Sequence, residues 1–302
     1  MAIRKPAEAA KLLSEKVSAL TGSKPGPLFR NKPFPLEKTL RQDAQIRKAR
    51  FAETARLNRA LLAPVHRIIS GNAEAVAAAK KLGVAKRLAK RKPDLRAKPR
   101  IENPVRSGSI LTFRGLPYDQ MWNNGTGELS DSGNYGFGIP NASEGNFIVE
   151  TNVSDGSESV WAGAGIAVWF QPIANNTFVR FGADTVGYYS WDDDSWGYAA
   201  HNNAFIGVLI ESWDLRGQTH QIDVDRRITQ WSDGTGWYEN HNNQLAVSFP
   251  SDTYFFANAD RQYRVWMWAE AWCDAEGSGL FGSSAASYMF FNSYVCVFEQ
   301  SP

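Results

Sequence analysis

Residues 262–272 read Gln262-Tyr-Arg-Val-Trp-Met-Trp-Ala-Glu-Ala-Trp272, and their period of two marks a β-strand. The even positions include Arg264, Trp266, Trp268, Glu270 and Trp272; the odd ones are Tyr263, Val265, Met267, Ala269 and Ala271. Residues 160–170 repeat the arrangement, with Trp161, Ala167 and Trp169 on one side and Ile166, Val168 and Phe170 on the other. A sandwich needs only one apolar face per sheet. A second apolar face calls for a cover: helices from elsewhere in the chain, another subunit, or a ligand. The stripe Trp266, Trp268, Trp272 has the spacing of a flat stacking platform, but the same spacing fills a core, and core is the favoured reading.

The same two-residue period recurs on both sides of this strand. It predicts strands over 108–114, 146–153, 160–170, 177–182, 204–213, 244–249, 262–272 and 286–299, separated by Gly, Asn, Asp and Ser clusters. This pattern, without helical periodicity, indicates an all-β antiparallel sandwich of the jelly-roll or lectin-like kind.

Before residue 105 the composition is different. Residues 1–104 hold 25 basic against 8 acidic residues, net +17, whereas 105–302 hold 8 basic against 23 acidic, net −15. All 11 Trp, all 10 Tyr and 14 of the 17 Phe follow residue 104. The expected division is therefore 1–104, a basic α-helical arm with a Pro-rich linker, and 105–302, an acidic, aromatic-rich β-sandwich domain. In the arm, 7–20 reads as a helix, and Pro25, Pro27, Pro33 and Pro35 mark an extended linker. A longer helix runs from Leu36 to about Leu62. Its stripe of Leu36, Leu40, Ala44, Phe51, Ala55 and Leu62 is interrupted by Arg47 and Asn58, and Pro64 is expected to end it. Asn72 is placed to cap Ala73–Leu82. Residues 86–100 hold eight basic residues against one acid and read as a solvated tether.

Cys273 and Cys296 form no disulfide framework. A simple hairpin of 262–273 with 285–299 would hold them about 33 Å apart, so two free thiols are expected. The N-terminus lacks an apolar signal core, and no apolar run reaches membrane-spanning length. That predicts a protein without a membrane span, cytoplasmic or exported without a cleavable signal peptide.

Two segments repeat each other at a spacing of 40 residues. Trp191-Asp-Asp-Asp-Ser-Trp-Gly-Tyr-Ala-Ala-His201-Asn-Asn203 parallels Trp231-Ser-Asp-Gly-Thr-Gly-Trp-Tyr-Glu-Asn-His241-Asn-Asn243. Each reads as a loop leading into a strand. Aromatic rings beside Asp, Asn and His are what sugar binding uses: a ring stacks on the C–H face of a pyranose, while amides and carboxylates bond vicinal hydroxyls. The candidate ligand-binding residues are Trp191, Asp192, Asp194, Trp196, His201, Asn203, Trp231, Asp233, Trp237, Glu239, His241 and Asn243. The competing reading is structural, since Trp plugs sandwich ends and Asp-Gly and Asn-Asn are ordinary turn chemistry. No cofactor is required. The acidic residues allow Ca²⁺, and His201 with His241 and Asp192 or Asp233 would suit a transition metal if they converged.

No nucleophile context, P-loop or dinucleotide fingerprint is present. The residues point to a non-enzymatic binding protein whose partner is a carbohydrate or other polar ligand, with the arm docking on an anionic partner. A structural or assembly protein is the alternative: an oligomer built on arm-to-domain charge complementarity, or a capsid-like jelly roll whose residues 86–100 hold nucleic acid. A glycan hydrolase or lyase is a second alternative. It needs a carboxylate pair drawn from Asp214, Asp233, Glu239, Glu211 and Glu270.

Overall fold

The computed structural model describes residues 32–78, 81, 110–125, 134–154, 157–195, 198–236, 239–250, 253–277 and 283–301. Among these residues one long helix, α1 (Glu37–Ser70), precedes twelve strands. These are β1 (Ile110–Gly115), β2 (Gln120–Gly125), β3 (Tyr135–Asn141), β4 (Asn146–Val153), β5 (Glu158–Phe170) and β6 (Thr177–Asp194), followed by β7 (Ala200–Asp214), β8 (His220–Thr235), β9 (Asn240–Pro250), β10 (Thr253–Ala257), β11 (Arg261–Ala275) and β12 (Ser284–Ser301). The expected helix at 7–20, the tether at 86–100 and the division at residue 104 lie outside the described residues.

The pairing is antiparallel throughout and makes two sheets. One has the order β10-β6-β12-β4-β3, with β1 added on β12 and β9 on β6; the other runs β2-β5-β11-β7-β8. Their inner faces supply the main core. Phe147, Val149, Val179, Phe181, Met289 and Phe291 of the first sheet meet Ile166, Val168, Ile206, Val208, Val265 and Met267 of the second. The all-β antiparallel sandwich with a helical arm is the observed architecture.

The hairpin assumed for 262–273 with 285–299 does not form, because β11 and β12 belong to opposite sheets. Cys273 is a free, fully buried thiol facing Thr151 and Ser287, and burial holds it well above the ordinary thiol range.

The outer face of the five-stranded sheet has its cover. Trp122, Trp161, Ala167, Leu209, Trp266, Trp268 and Trp272 are buried together with Phe34, Leu40 and Ala44 from the arm. Phe34 inserts among Trp122, Trp266 and Trp268, with ring centroids 4.3, 4.9 and 6.0 Å away. The indole of Trp268 lies flat because Gly207 is beneath it: a Cβ there would come within 2.1 Å of the ring.

The two polar residues that interrupt the helical stripe anchor α1 to the end of the same sheet. Arg47 donates two hydrogen bonds to Asp274, at 2.6 and 3.0 Å, and Asn58 donates to Glu276 at 2.9 Å. Lys48 pairs with Glu158 at 3.1 Å.

Pro64 does not end the helix. Its ring stands on the exposed side and α1 continues to Ser70. Proline removes one N–H and leaves its own carbonyl free to accept, and the turn beyond it is tied down by His66, which packs edge-on against Tyr198 at 4.6 Å. Asn72 caps a following helical stretch from residue 73, accepting from the backbone N–H of Glu74 and Ala75 at 3.0 and 3.1 Å.

Candidate functional site

The two repeated segments are mostly strand rather than loop. β6 runs to Asp194 and β7 starts at Ala200; β8 runs to Thr235 and β9 starts at Asn240. Only short corners remain, and each carries the chain from one sheet to the other. Ladder pairing explains the difference, because every strand end has a partner to satisfy its backbone. Asp193 lies opposite His241 and Trp191 opposite Asn243 in the seven-stranded sheet. His201 lies opposite Gly234 and Asn202 opposite Asp233 in the five-stranded sheet. The copies are therefore antiparallel neighbours in both sheets and share one end of the sandwich.

The corners are bonded to each other. The Ser195 N–H donates to the Glu239 carbonyl at 3.0 Å, and the Glu239 N–H donates to Ser195 Oγ at 3.2 Å. Ser195 Oγ in turn donates to the Gly236 carbonyl. The Glu239 carboxylate folds back on its own turn and accepts from the Gly236 N–H at 2.5 Å.

Beneath the corners lies a polar residue that the sequence reading passed over. Asn202 is fully buried; its amide donates to Asp193 at 2.9 Å, and its oxygen accepts from the Trp231 indole at 2.6 Å. Its inward orientation follows from register, since it lies opposite Cys273, another inward residue. Alternation along β7 was the available signal, once the strand was known to begin at Ala200.

The predicted residues separate by position. Trp231 belongs to the main core at 6% exposure, so it plugs the sandwich and offers no ring to a surface ligand. His201, Glu239 and Asn243 are exposed, while Asn203, Asp233 and His241 are half-buried. Asp233 and His241 form a pair, Oδ1 to Nδ1 at 2.9 Å. The His201 ring lies against Gly234, where a Cβ would fall 2.1 Å from Nδ1. The side chains of Trp191, Asp192 and Asp194, and all of Trp196 and Trp237, lie outside the described residues. Among the described residues no group of three His, Cys, Asp or Glu side chains is placed to hold a metal. No helix among them is long and apolar enough to cross a membrane.

Two of the carboxylates considered for glycan hydrolysis are committed elsewhere. Glu211 pairs with Arg264 and accepts from the Trp266 indole at 3.0 Å, and Glu270 pairs with Arg227 and accepts from the Trp161 indole at 3.0 Å. Glu211 lies opposite Arg264 in register, and Glu270 is six residues further along β11. That is about 20 Å at the usual strand rise, well beyond the roughly 5–9 Å of a glycosidase pair.

No protein-family model matches the chain, and no curated protein matches it. Among solved structures, one is described as "Structural basis for the promiscuous specificity of the carbohydrate-binding modules from the beta-sandwich super family". It is 12% identical over 66% of this chain and 60% of its own, with a TM-score of 0.18. A carbohydrate-binding module in complex with β-1,4-galactotriose is 10% identical over 66% of this chain and 98% of its own, with a TM-score of 0.20. An infectious bursal disease virus structure is 9% identical over 68% of this chain and 47% of its own, with a TM-score of 0.15. The match thus spans 60% of the length of the first of these structures. The strand order and antiparallel pairing of the two sheets themselves define the sandwich.

Proposed function

We propose that this is a non-enzymatic carbohydrate-binding protein whose site is the sandwich end where the two repeated segments meet. The observation that carries the reading is their side-by-side arrangement, with exposed Glu239 and Asn243 at the same end as the Asp233–His241 pair and exposed His201, opposite Asp274, on the adjoining outer face of the five-stranded sheet. The cluster offers several hydrogen-bond donors and acceptors for vicinal hydroxyls. The rings supplying stacking would be Trp191, Trp196 and Trp237, and Asp192 and Asp194 are the residues for a Ca²⁺ requirement. A glycan array probed with the full chain, with and without Ca²⁺, tests this. The expected result is a defined glycan set lost in both Trp191→Ala and Trp237→Ala. Binding that survives both substitutions, or no binding at all, refutes the site.

An assembly role is the second reading, favoured by Leu57, Leu61, Val65 and Ile68, which are exposed along the outer side of α1. Light scattering of the full chain separates the two: a discrete oligomer dissociated by Leu61→Asp favours assembly.

A further inference from the structure

The outer face of the five-stranded sheet is chemically mismatched to the helix that covers it. A sheet face that only needs closing is best lined with aliphatic groups, because buried ion pairs cost desolvation. This face carries two carboxylate–guanidinium pairs, Glu211–Arg264 and Glu270–Arg227. Glu211, Glu270 and Arg264 are fully buried. The face also carries polar atoms that the cover leaves unpartnered: the indole N–H groups of Trp122 and Trp268, both buried under the arm, and Asn203 Oδ1. Phe34, the residue against both indoles, presents only hydrocarbon. Each orphaned donor in a dry site is costly.

The cover is fastened to this face by groups that a polar ligand would replace. Two backbone carbonyls, of Lys32 and Pro33, accept from the Arg264 guanidinium at 2.5 and 2.8 Å. Arg264 itself is surrounded by Trp169, Trp213 and Trp266 at 5.0–5.2 Å. At the far end, Arg47 lies over Trp272 at 4.9 Å and bonds Asp274. From Arg264 to Trp272 the face is eight residues of strand long, about 26 Å. It combines a line of aromatic rings with carboxylate, guanidinium and amide groups along its length.

We propose that this face is a second ligand site, built for an extended polyhydroxylated chain such as a β-linked oligosaccharide, and that residues Lys32–Ala44 occupy it as an intramolecular stand-in. Phe34 takes the place of a stacked sugar ring, and the Lys32 and Pro33 carbonyls take the place of hydroxyl oxygens on Arg264. Hydroxyl groups would also satisfy the Trp122 and Trp268 donors that Phe34 leaves without partners. Because the face is competent only when the segment lifts, apparent affinity is reduced by the fraction of time it is open.

The test uses the full chain with cellohexaose and xylohexaose as probes, read by calorimetry and by hydrogen exchange. Saturating oligosaccharide is expected to speed amide exchange across Leu40–Ala55 of α1 in the wild-type chain while β5, β7 and β11 stay protected. Phe34→Ala/Leu40→Ala, which loosens the cover without altering the face, is expected to bind the same probe at least tenfold more tightly. Glu239→Ala/His241→Ala is expected to leave this affinity unchanged, which separates the face from the corner site. The proposal is overturned by α1 exchange unchanged at saturation, by a double variant at Phe34 and Leu40 that binds no more tightly than wild type, or by neither hexaose being bound by either protein. Loss of all binding in Glu239→Ala/His241→Ala also overturns it and leaves the corner as the single site.

Discussion

Arg47 sits in the apolar stripe of α1 and ties the helix to the end of the sheet. Its partner Asp274 is nearly buried and also accepts from Ser159 Oγ at 2.5 Å, so this carboxylate is held from two sides. The bond is charge-assisted and partly shielded, unlike the exposed Arg41–Glu37 and Arg56–Glu53 pairs on α1. A double-mutant cycle with Arg47→Ala and Asp274→Asn is expected to give a coupling of roughly 1–2 kcal/mol in thermal or denaturant unfolding. A coupling near zero would show that α1 is positioned by its apolar contacts alone. Glu276 lies two residues beyond Asp274, just past the end of β11, and burial raises its carboxyl above the ordinary value despite the hydrogen bond from Asn58. A raised folded value means its stability contribution is complete below the unfolded carboxyl range and is lost as pH rises through the folded value. Glu276→Gln keeps an acceptor for Asn58 and removes the charge. The variant is therefore expected to gain on wild type in melting temperature from about pH 4 to pH 7; a constant difference would contradict the assignment.

At the scale of elements, α1 and the sheet edges show what the sequence could and could not reveal. The apolar second face of 160–170 and 262–272 required a cover, and the stripe beginning at Leu36 supplies one. Strand β4 was legible to the residue, because Asn146–Val153 alternates buried and half-buried positions along its whole length. The four strands that escaped detection, β2, β3, β8 and β10, are the outermost members of the two sheet paths. Edge strands are blunted with charge, Pro and Gly, which erases the alternation. His220–Thr235 is largely exposed and carries Asp223, Asp225, Arg226 and Arg227, and Tyr135–Asn141 contains Gly136, Gly138 and Pro140. The repeated His-Asn-Asn segments were visible as a pair, but their adjacency was not, since it depends on β6 pairing β9 while β7 pairs β8. Burial of Trp231 was equally hidden, because nothing in the spacing separates a plug from a platform. Pro64 was misread as a stop: chain-local geometry disfavours it inside a helix, and tertiary contact by His66 beyond it overrode that preference. Pro64→Ala should therefore raise stability by about 1 kcal/mol or more, or some 2–4 °C in melting temperature for a domain of this size. A lower melting temperature would mean the proline geometry is needed to aim His66 at Tyr198.

Across the whole molecule, opposite charges of +17 and −15 suggested that arm and sandwich associate electrostatically. The described contacts give a different weighting. Two arm cations, Arg47 and Lys48, pair with sandwich carboxylates, whereas Phe34, Leu40 and Ala44 are buried against tryptophans. Burying one large apolar side chain contributes about 1.5–3 kcal/mol, whereas an exposed pair such as Lys48–Glu158 rarely reaches about 1 kcal/mol and the partly shielded Arg47–Asp274 pair contributes roughly 1–2 kcal/mol. Apolar packing therefore sets the position of α1, with charge adding register at its edges. The two effects respond differently to salt, because screening at about 1 M reduces the Debye length to roughly 3 Å while apolar burial is unaffected or strengthened. The direct measurement is amide hydrogen exchange of the full, ligand-free chain at low salt and at about 1 M salt. Leu40–Ala55 should stay protected alongside β11 in both; exchange of that segment at the rate of an isolated helix in high salt, with β11 still protected, would contradict the account.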